Sequence, residues 1–467
     1  MVSFVQLFNH GLLLVDPQSL YKQVATPQQV AKEQYNIVKY LGGSAPYIQR
    51  PGFGLSTELP NQCELEQVHL LSRHGERYPS KGDGVQFESI LAKFQKYGKP
   101  FKGDLQFLND YEYFVTDSDN YEKETSPLNS HSPYDGISDE YRHGSLFRNK
   151  YDSLYNPEKI LPIFTTNSKR CYDTSESFAR GFLGEEFNDN KLEFVIISED
   201  KSMGINSLTP RYACSNFNGE VNREKLNQYD RSFLNDILAR FQHDNPGLDL
   251  TPGEVNSLFL WCAFEINVKG HSPFCDLFTN EEFIKSSYST DLGNYYTTGP
   301  GNPKSKTIGS EMVSATLKLL QDTQPDNKIW LSFTHDTDME MYLSCLGIID
   351  PIKELPVDRI PFPNPYSAAE MLPQGARIYI EKFKCNKSAK QASYVRYIIN
   401  DSVVPIRNCL NGPGFSCEFS EYEDYINNRL QDLSFKYQCQ LKTGFPDKLT
   451  FYWDYKTTKY DSPLIDQ

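Results

Sequence analysis

Five consecutive residues, Arg73-His74-Gly75-Glu76-Arg77, bring two guanidiniums, an imidazole and a carboxyl group together directly after the apolar positions Val68, Leu70 and Leu71. A chain leaving a buried strand has to find partners for every one of those groups. Two other clusters have the same character: Arg170 in NSKRC, and His335-Asp336 in FTHDTD. Guanidinium forks fit phosphate oxygens bidentately and stay charged at every relevant pH, so Arg73, Arg77 and Arg170 around one point would make a dianion site. A neutral His74 imidazole among them can attack phosphorus, dividing one difficult displacement into two easier ones. The arginines and His335 would then stabilise charge on the equatorial oxygens. Asp336 is placed to protonate a leaving alkoxide and afterwards to activate water.

Ordinary structural uses compete with this chemistry. His243-Asp244 repeats the same dipeptide, but at the end of an amphipathic helical pattern and before an Asn-Pro-Gly stop, and reads as a solvated helix end. His143 in YRHGSLF lacks a preceding strand and a second arginine, and is expected on a helix surface or in a core hydrogen bond. Glu76 is expected to orient an arginine through a salt bridge. Lys81, in PSKGDG, is either a plain loop lysine or a contact for a second substrate phosphate. The spacing does not separate the two.

The elements that would position these residues are three apolar runs, 67–71, 161–166 and 328–334, each passing straight into one of the charged clusters. Strand, loop and helix in alternation predict an α/β fold with a mostly parallel, doubly wound sheet, whose ligands sit beyond the C-terminal ends of the strands. Ser168 or Asn167 is available to cap a helix carrying Arg170. SFLNDILARFQ (232–242) places Phe233, Leu234, Ile237, Leu238 and Phe241 on one helical face. Toward the C-terminus ARIYIEKF, SYVRYIINDSVVPI and LTFYWDY alternate apolar and polar residues and predict later strands. The acidic Ser/Asn/Tyr-rich stretch 110–139 reads as an elaborated surface loop or cap. The expected organisation is an N-terminal arm (1–40), an α/β core (41–86, 151–218 and 297–467) and a smaller, mainly helical cap (87–150 and 219–296).

Composition narrows the function classes. The net charge of −14 opposes nucleic acid and anionic membranes, so an anionic ligand needs a local arginine or lysine cluster. No run approaches the length of a membrane span. The ten cysteines form no CxxC pair and show no zinc spacing, which favours disulfides in an exported protein over buried thiols in a cytosolic one. Cys262–Cys275 and Cys409–Cys417 would close short loops, the second helped by Gly412-Pro413-Gly414. Asn386 and Asn400 begin glycosylation sequons. The opening MVSFVQLFNHGLLLV has no basic segment and no cleavable-leader pattern, and TKYDSPLIDQ carries no lipid-anchor signal.

RHGERYP followed far downstream by HD resembles the histidine acid phosphatases, which include fungal phytases and yeast secreted acid phosphatases. The likeness runs from about Leu41 to Tyr455 and includes TTNSKRC, WCAFE, FTHDTD, PQGARIY and GPGFSC. It implies an α/β domain with a helical domain over the site, His74 as nucleophile, Arg73, Arg77, Arg170 and His335 as the phosphate clamp, Asp336 as proton donor, and no metal or other cofactor. It also implies the pairs Cys63–Cys385 and Cys214–Cys439, which leaves Cys171 and Cys345 either to pair with each other by elimination or, as both follow catalytic segments, to stay free thiols. A mutase-like phosphotransferase fits poorly with so many disulfide candidates. A phosphate-binding protein without turnover fits poorly with an intact nucleophile and acid. A serine hydrolase or zinc enzyme lacks GxSxG and HExxH.

A three-arginine clamp fixes one phosphate, so selectivity must come from outside it. Phytate would need cations at the rim, which Lys81 with Lys93, Lys96 or Lys99 can supply; a non-specific acid phosphatase is the alternative. Carboxylates begin to protonate near their reference pKa of about 4 while arginines stay charged, so an acid optimum is expected. The apolar arm VSFVQLFNHGLLLV is expected to pack on a neighbouring subunit and promote a homo-oligomer.

Overall fold

A computed structural model describes residues 36–466 except 51, 53, 189, 388 and 389. The arm and its expected role in oligomerisation fall almost wholly outside the described residues. The sheet contains β1 (Cys63–Arg73), β2 (Leu161–Thr166), β3 (Leu192–Ile197), β4 (Ile329–Thr334), β5 (Arg377–Lys387), β6 (Lys390–Ile399), β7 (Ser402–Val404) and β8 (Cys417–Glu418). Its order is β3-β2-β4-β1-β5-β6-β7, with β8 also paired to β6. The half β3-β2-β4-β1 is parallel. The other half is antiparallel.

Helices cover both faces, which accounts for the uninterrupted apolar character of β2 and β4. The longer helices are α1 (Lys81–Tyr97), α2 (Gly136–Tyr151), α3 (Lys169–Leu183), α4 (Phe233–Asp244), α5 (Pro252–Lys269), α6 (Asn280–Thr297), α7 (Ser305–Gln321), α8 (Asp336–Leu346) and α9 (Phe419–Leu430). On one face Val68, Leu70, Ile163, Leu331 and Phe333 pack with Phe147 of α2 and Phe178 and Phe182 of α3. On the other, Leu71, Phe164, Trp330 and Ile378 pack with Leu317 of α7, Met339 and Leu343 of α8 and Tyr422 of α9.

A third apolar cluster joins Phe87 and Phe94 of α1, Phe233, Ile237 and Phe241 of α4, and Trp261 and Phe264 of α5. α6 spans two clusters, placing Phe283 in this one and Leu292 against the sheet. Capping boxes start both α5 (Thr251 with Glu254) and α6 (Thr279 with Glu282).

Four disulfides pair as expected: Cys63–Cys385, Cys214–Cys439, Cys262–Cys275 and Cys409–Cys417. The fifth does not exist, and Cys171 and Cys345 are buried free thiols. The Cys171 sulfur lies 3.7 Å from Nδ1 of His335, where α8 begins. Cys345 lies nine residues along α8 from Asp336, about 14 Å at the helical rise, and a disulfide needs Cα atoms within about 7 Å.

Asn400 cannot carry a glycan in the folded chain. It is wholly buried, with its Nδ2 donating to the carbonyls of Glu370 and Met371 and its Oδ1 accepting the N–H of Arg377. Asn386 is exposed. LTFYWDY is not a strand: Phe451–Asp454 forms a helical turn because Asn206 Oδ1 accepts the N–H groups of Thr450 and Phe451, and Phe451, Tyr452 and Tyr455 all pack on Phe164.

Candidate active site

Three parallel strands deliver the charged clusters to one end of the sheet. β1 ends at Arg73 and runs into His74; β2 passes through Asn167 and Ser168 into α3, which carries Arg170; β4 passes through His335 into α8, which begins with Asp336. Two helix N-termini therefore face the place where the arginines gather, a favourable setting for an anion. Ser168 takes the capping position of α3 without a side-chain cap bond.

The arginines are held by the backbone and by acids. Arg73 donates from Nη1 to the carbonyls of Gly43 (2.5 Å) and Leu372 (2.7 Å), and its Nη2 lies 2.9 Å from Oδ2 of Asp336. Arg77 donates from Nη1 to the Tyr78 carbonyl at 2.7 Å and lies over the Phe264 ring at 5.3 Å. Arg170 pairs with Glu122 at 3.0 Å. Buried Nε–H groups of Arg73 and Arg77 have no partner among the described residues, so donors remain for a ligand.

His74 is buried, with Nδ1 2.9 Å from the carbonyl of Gly75. That contact keeps the proton on Nδ1 and leaves the lone pair on Nε2. Burial, then Arg73, Arg170 and Arg77, hold its pKa well below the usual histidine value, so the ring stays neutral in acid. The loop beneath admits only glycine at position 75: a Cβ there would sit 2.9 Å from Glu124 Oε1 and 3.0 Å from the Gly136 carbonyl. The Gly75 N–H donates to both Glu124 (2.8 Å) and Thr174 (2.9 Å).

His335 packs edge-to-face on His74 with ring centroids 5.9 Å apart, and its Nε2 lies 2.6 Å from Glu199 Oε1. Burial pushes the Asp336 carboxyl up, but Arg73, His335 and the Thr337 N–H overcome that and hold it at about 2. All six expected residues thus converge, and their arrangement can bind a phosphoryl dianion beside a neutral imidazole and a carboxyl group.

The profile described as histidine phosphatase superfamily (branch 2) matches residues 64–400. The chain belongs to that family. Among its histidine phosphatase relatives, a phytase of Candida albicans is 54% identical over 465 residues, covering 99% of this chain and all of the relative. The constitutive acid phosphatase of Saccharomyces cerevisiae is 41% identical over 442 residues, 93% of each chain. The crystal structure of a phytase from D. castellii superposes with a TM-score of 0.92 at 51% identity, covering 98% of this chain and 99% of that one.

Outside the family motif, sequence reasoning missed Glu199, Glu124 and Gln374, whose Oε1 accepts the Arg77 N–H at 2.7 Å. Glu199 follows a parallel strand, as the other clusters do. That strand, LEFVII, carries a solvent-facing glutamate and was the signal available. Glu76 does not orient a motif arginine: it accepts the Tyr47 N–H at 2.6 Å, and burial, reinforced by Asp139, pushes its carboxyl up to about 7. His143 is a core histidine, with Nδ1 3.0 Å from Glu140 and Nε2 2.8 Å from the Tyr379 hydroxyl. His243 is exposed at the end of α4.

Lys81 opens α1 and is exposed at a cavity of about 250 Å³ lined also by Lys123, Lys169, Arg170, Asp173 and Asp466. Lys93 does not reach this rim. It pairs with Glu254 and lies twelve residues along α1, about 18 Å from Lys81. Lys99, beyond the end of α1, packs over Tyr97. Cys409, Cys417 and Glu421 bring potential metal-ligand atoms together, but the two sulfurs are joined in a disulfide.

Proposed function

We propose that the chain is a secreted acid phosphomonoesterase that hydrolyses phytate and other phosphate monoesters through a phosphohistidine at His74. The observation that carries this reading is a buried, neutral imidazole tied at Nδ1 to the Gly75 carbonyl and surrounded by Arg73, Arg77 and Arg170. In the first half-reaction Nε2 forms a bond to phosphorus as the ester P–O bond breaks, and Asp336 gives its proton to the leaving oxygen. In the second, water attacks phosphorus, its proton passes to Asp336, the N–P bond breaks and phosphate leaves.

Asp336 must be protonated for the first step, although Arg73 keeps it ionised in the free protein. A bound phosphoryl group draws on the same guanidinium and adds negative charge beside the carboxylate, and both effects raise its pKa. Below the second phosphate pKa of about 6 a monoester also carries a proton of its own, so acid conditions supply what the step consumes.

Lys81, Lys123 and Lys169 around the adjoining cavity support phytate as a substrate, as do the two relatives named phytase. Asp173 and Asp466 on the same rim, and the relatives named acid phosphatase, support broad monoester specificity as the second reading. Four disulfides and an exposed Asn386 support export. No helix among the described residues is long and apolar enough to cross a membrane. The expected cap (87–150 and 219–296) is supported by the apolar cluster that joins α1, α4 and α5 and contributes Phe264 beneath Arg77, although α2 within those bounds packs on the sheet through Phe147 and Tyr151.

A rapid denaturing quench with phosphorus-labelled substrate tests the mechanism. Label is expected on His74 in the wild type and absent in His74→Ala; a phosphoenzyme that survives the substitution overturns it. Turnover of phytate against a small aryl phosphate decides between the two specificities.

A further inference from the structure

His335 is gripped from a direction its own motif does not predict. Glu199, just beyond β3, is buried and holds Nε2 of His335 at 2.6 Å, and the Thr166 hydroxyl serves the same carboxylate. The segment carrying Glu199 is itself fixed: its N–H donates to Oδ1 of Asn167 at 2.9 Å. Asn167 in turn donates from Nδ2 to the carbonyl of Pro463, and its own carbonyl accepts the N–H of Ile465. The C-terminal stretch therefore buttresses the acid that faces the second histidine.

We propose that Glu199 is a positioning residue that keeps the proton of neutral His335 on Nε2, so that His335 can donate to a phosphate oxygen from Nδ1 only after taking up a second proton. The inference deepens the phosphomonoesterase reading and rests on it. A neutral imidazole has a single N–H. With a carboxylate occupying Nε2, the remaining nitrogen offers a lone pair, which repels phosphate oxygen. Protonation converts it into a charge-assisted donor.

The groups facing this ring are Glu199 after β3, Arg170 and Cys171 on α3, Arg211 ahead of Cys214, His74 after β1, and Asp336 on its own helix. Arg211 is paired with Asp338. The cations Arg170 and Arg211 oppose a charge on His335, and Glu199 is the buried acid in direct contact that favours it. Phosphate affinity is thereby coupled to the protonation of His335, with the carboxylate setting the pH at which that coupling is lost.

Inorganic phosphate as a competitive inhibitor of the full-length enzyme reads this directly. In Glu199→Gln the inhibition constant should rise about tenfold on the neutral limb of the pH profile, the factor for a one-unit shift, and should converge with the wild type to within about twofold on the acid limb, once His335 is protonated in both forms. Glu199→Asp, which keeps the charge, should retain the wild-type upper limb of the profile. An equal rise at every pH would assign Glu199 a purely structural role and overturn the proposal, as would no change at any pH. Nitrogen-15 shifts of His335 in the wild type give an answer independent of how the variants fold: Nε2 should stay protonated while Nδ1 titrates, and a neutral form protonated at Nδ1 would refute it. Absence of a phosphohistidine would defeat the enzyme mechanism while leaving that tautomer measurement intact.

Discussion

The front and back of the RHGER loop treat carboxyl groups in opposite ways, with Asp336 in front partly exposed and Glu76, Glu124 and Glu140 behind it buried. In front, Asp336 is held at about 2 because Arg73 lies 2.9 Å away. Behind, burial pushes Glu76 up to about 7, and Glu124 and Glu140 go well above the usual carboxyl range. Glu124 makes the contrast clearest, since its oxygen receives the Gly75 N–H and the Thr174 hydroxyl but no guanidinium. Burial raises a carboxyl that no cation touches, and a guanidinium in contact reverses the direction. The loop separates a side prepared to meet anions from a side that stays neutral in acid.

The largest test of that separation removes the proposed nucleophile. His74→Ala should cost on the order of 10⁴-fold or more in kcat, with no labelled intermediate. Asp336→Asn, on the same side, should slow esters with poor leaving groups by about 10²- to 10⁴-fold. Aryl phosphates, whose leaving oxygen needs little protonation, should suffer far less. Equal losses on both substrate types in steady-state assays would remove Asp336 from the role of acid.

The back of the loop is tested through stability. Glu76 has a folded pKa raised from 4.5 to about 7, so its contribution is fully present below pH 4.5 and is lost as pH rises through 7. That loss is on the order of 3 kcal/mol, and calorimetry should show the Tm falling between pH 5 and 8. In Glu76→Gln the fall should be smaller by a few degrees; an identical pH slope would mean that Glu76 is already ionised in the native state. The smallest effect is at the rim. Lys81→Glu should lower the ratio of phytate to aryl phosphate turnover a few-fold, less at high salt, because Lys81 is exposed and screened. A ratio unmoved by the substitution would take Lys81 out of substrate recognition.

The front of the site was legible in the sequence because its residues are clustered and follow apolar runs, so strand, turn and charge could be read together. Arg170, His335 and Asp336 were found in this way. The back was not. Glu124 lies in a loop without periodicity, and Glu199 follows β3, whose mixed burial hides it among surface segments. Asn400 reads as a sequon, although its positive φ and three hydrogen bonds make it a backbone-bracing turn residue. LTFYWDY alternates like a strand, and only the side chain of Asn206, more than two hundred positions earlier, makes it helical. Cys171 and Cys345 matched each other by elimination, but α8 carries one away from the other. In each case the deciding contact is remote in the chain, where local pattern has no access.

The position of β1 imposes an order on biosynthesis. Among the described residues it is the first strand to be made, yet its partners are β4 and β5, so the loop bearing His74 has no neighbouring strand until Thr334 has left the ribosome and is flanked on both sides only after about residue 387. Until then Val68, Leu70 and Leu71 are an exposed apolar segment next to a cluster of arginines, which is a natural client for a chaperone. Cys63 and Cys385 are register partners on β1 and β5, 322 residues apart, so their bond can close only once the central strands have met. In pulse-labelled material, formation of that crosslink would time the birth of the active centre, and truncated chains ending before β5 would emerge with the catalytic motif present and the enzyme absent.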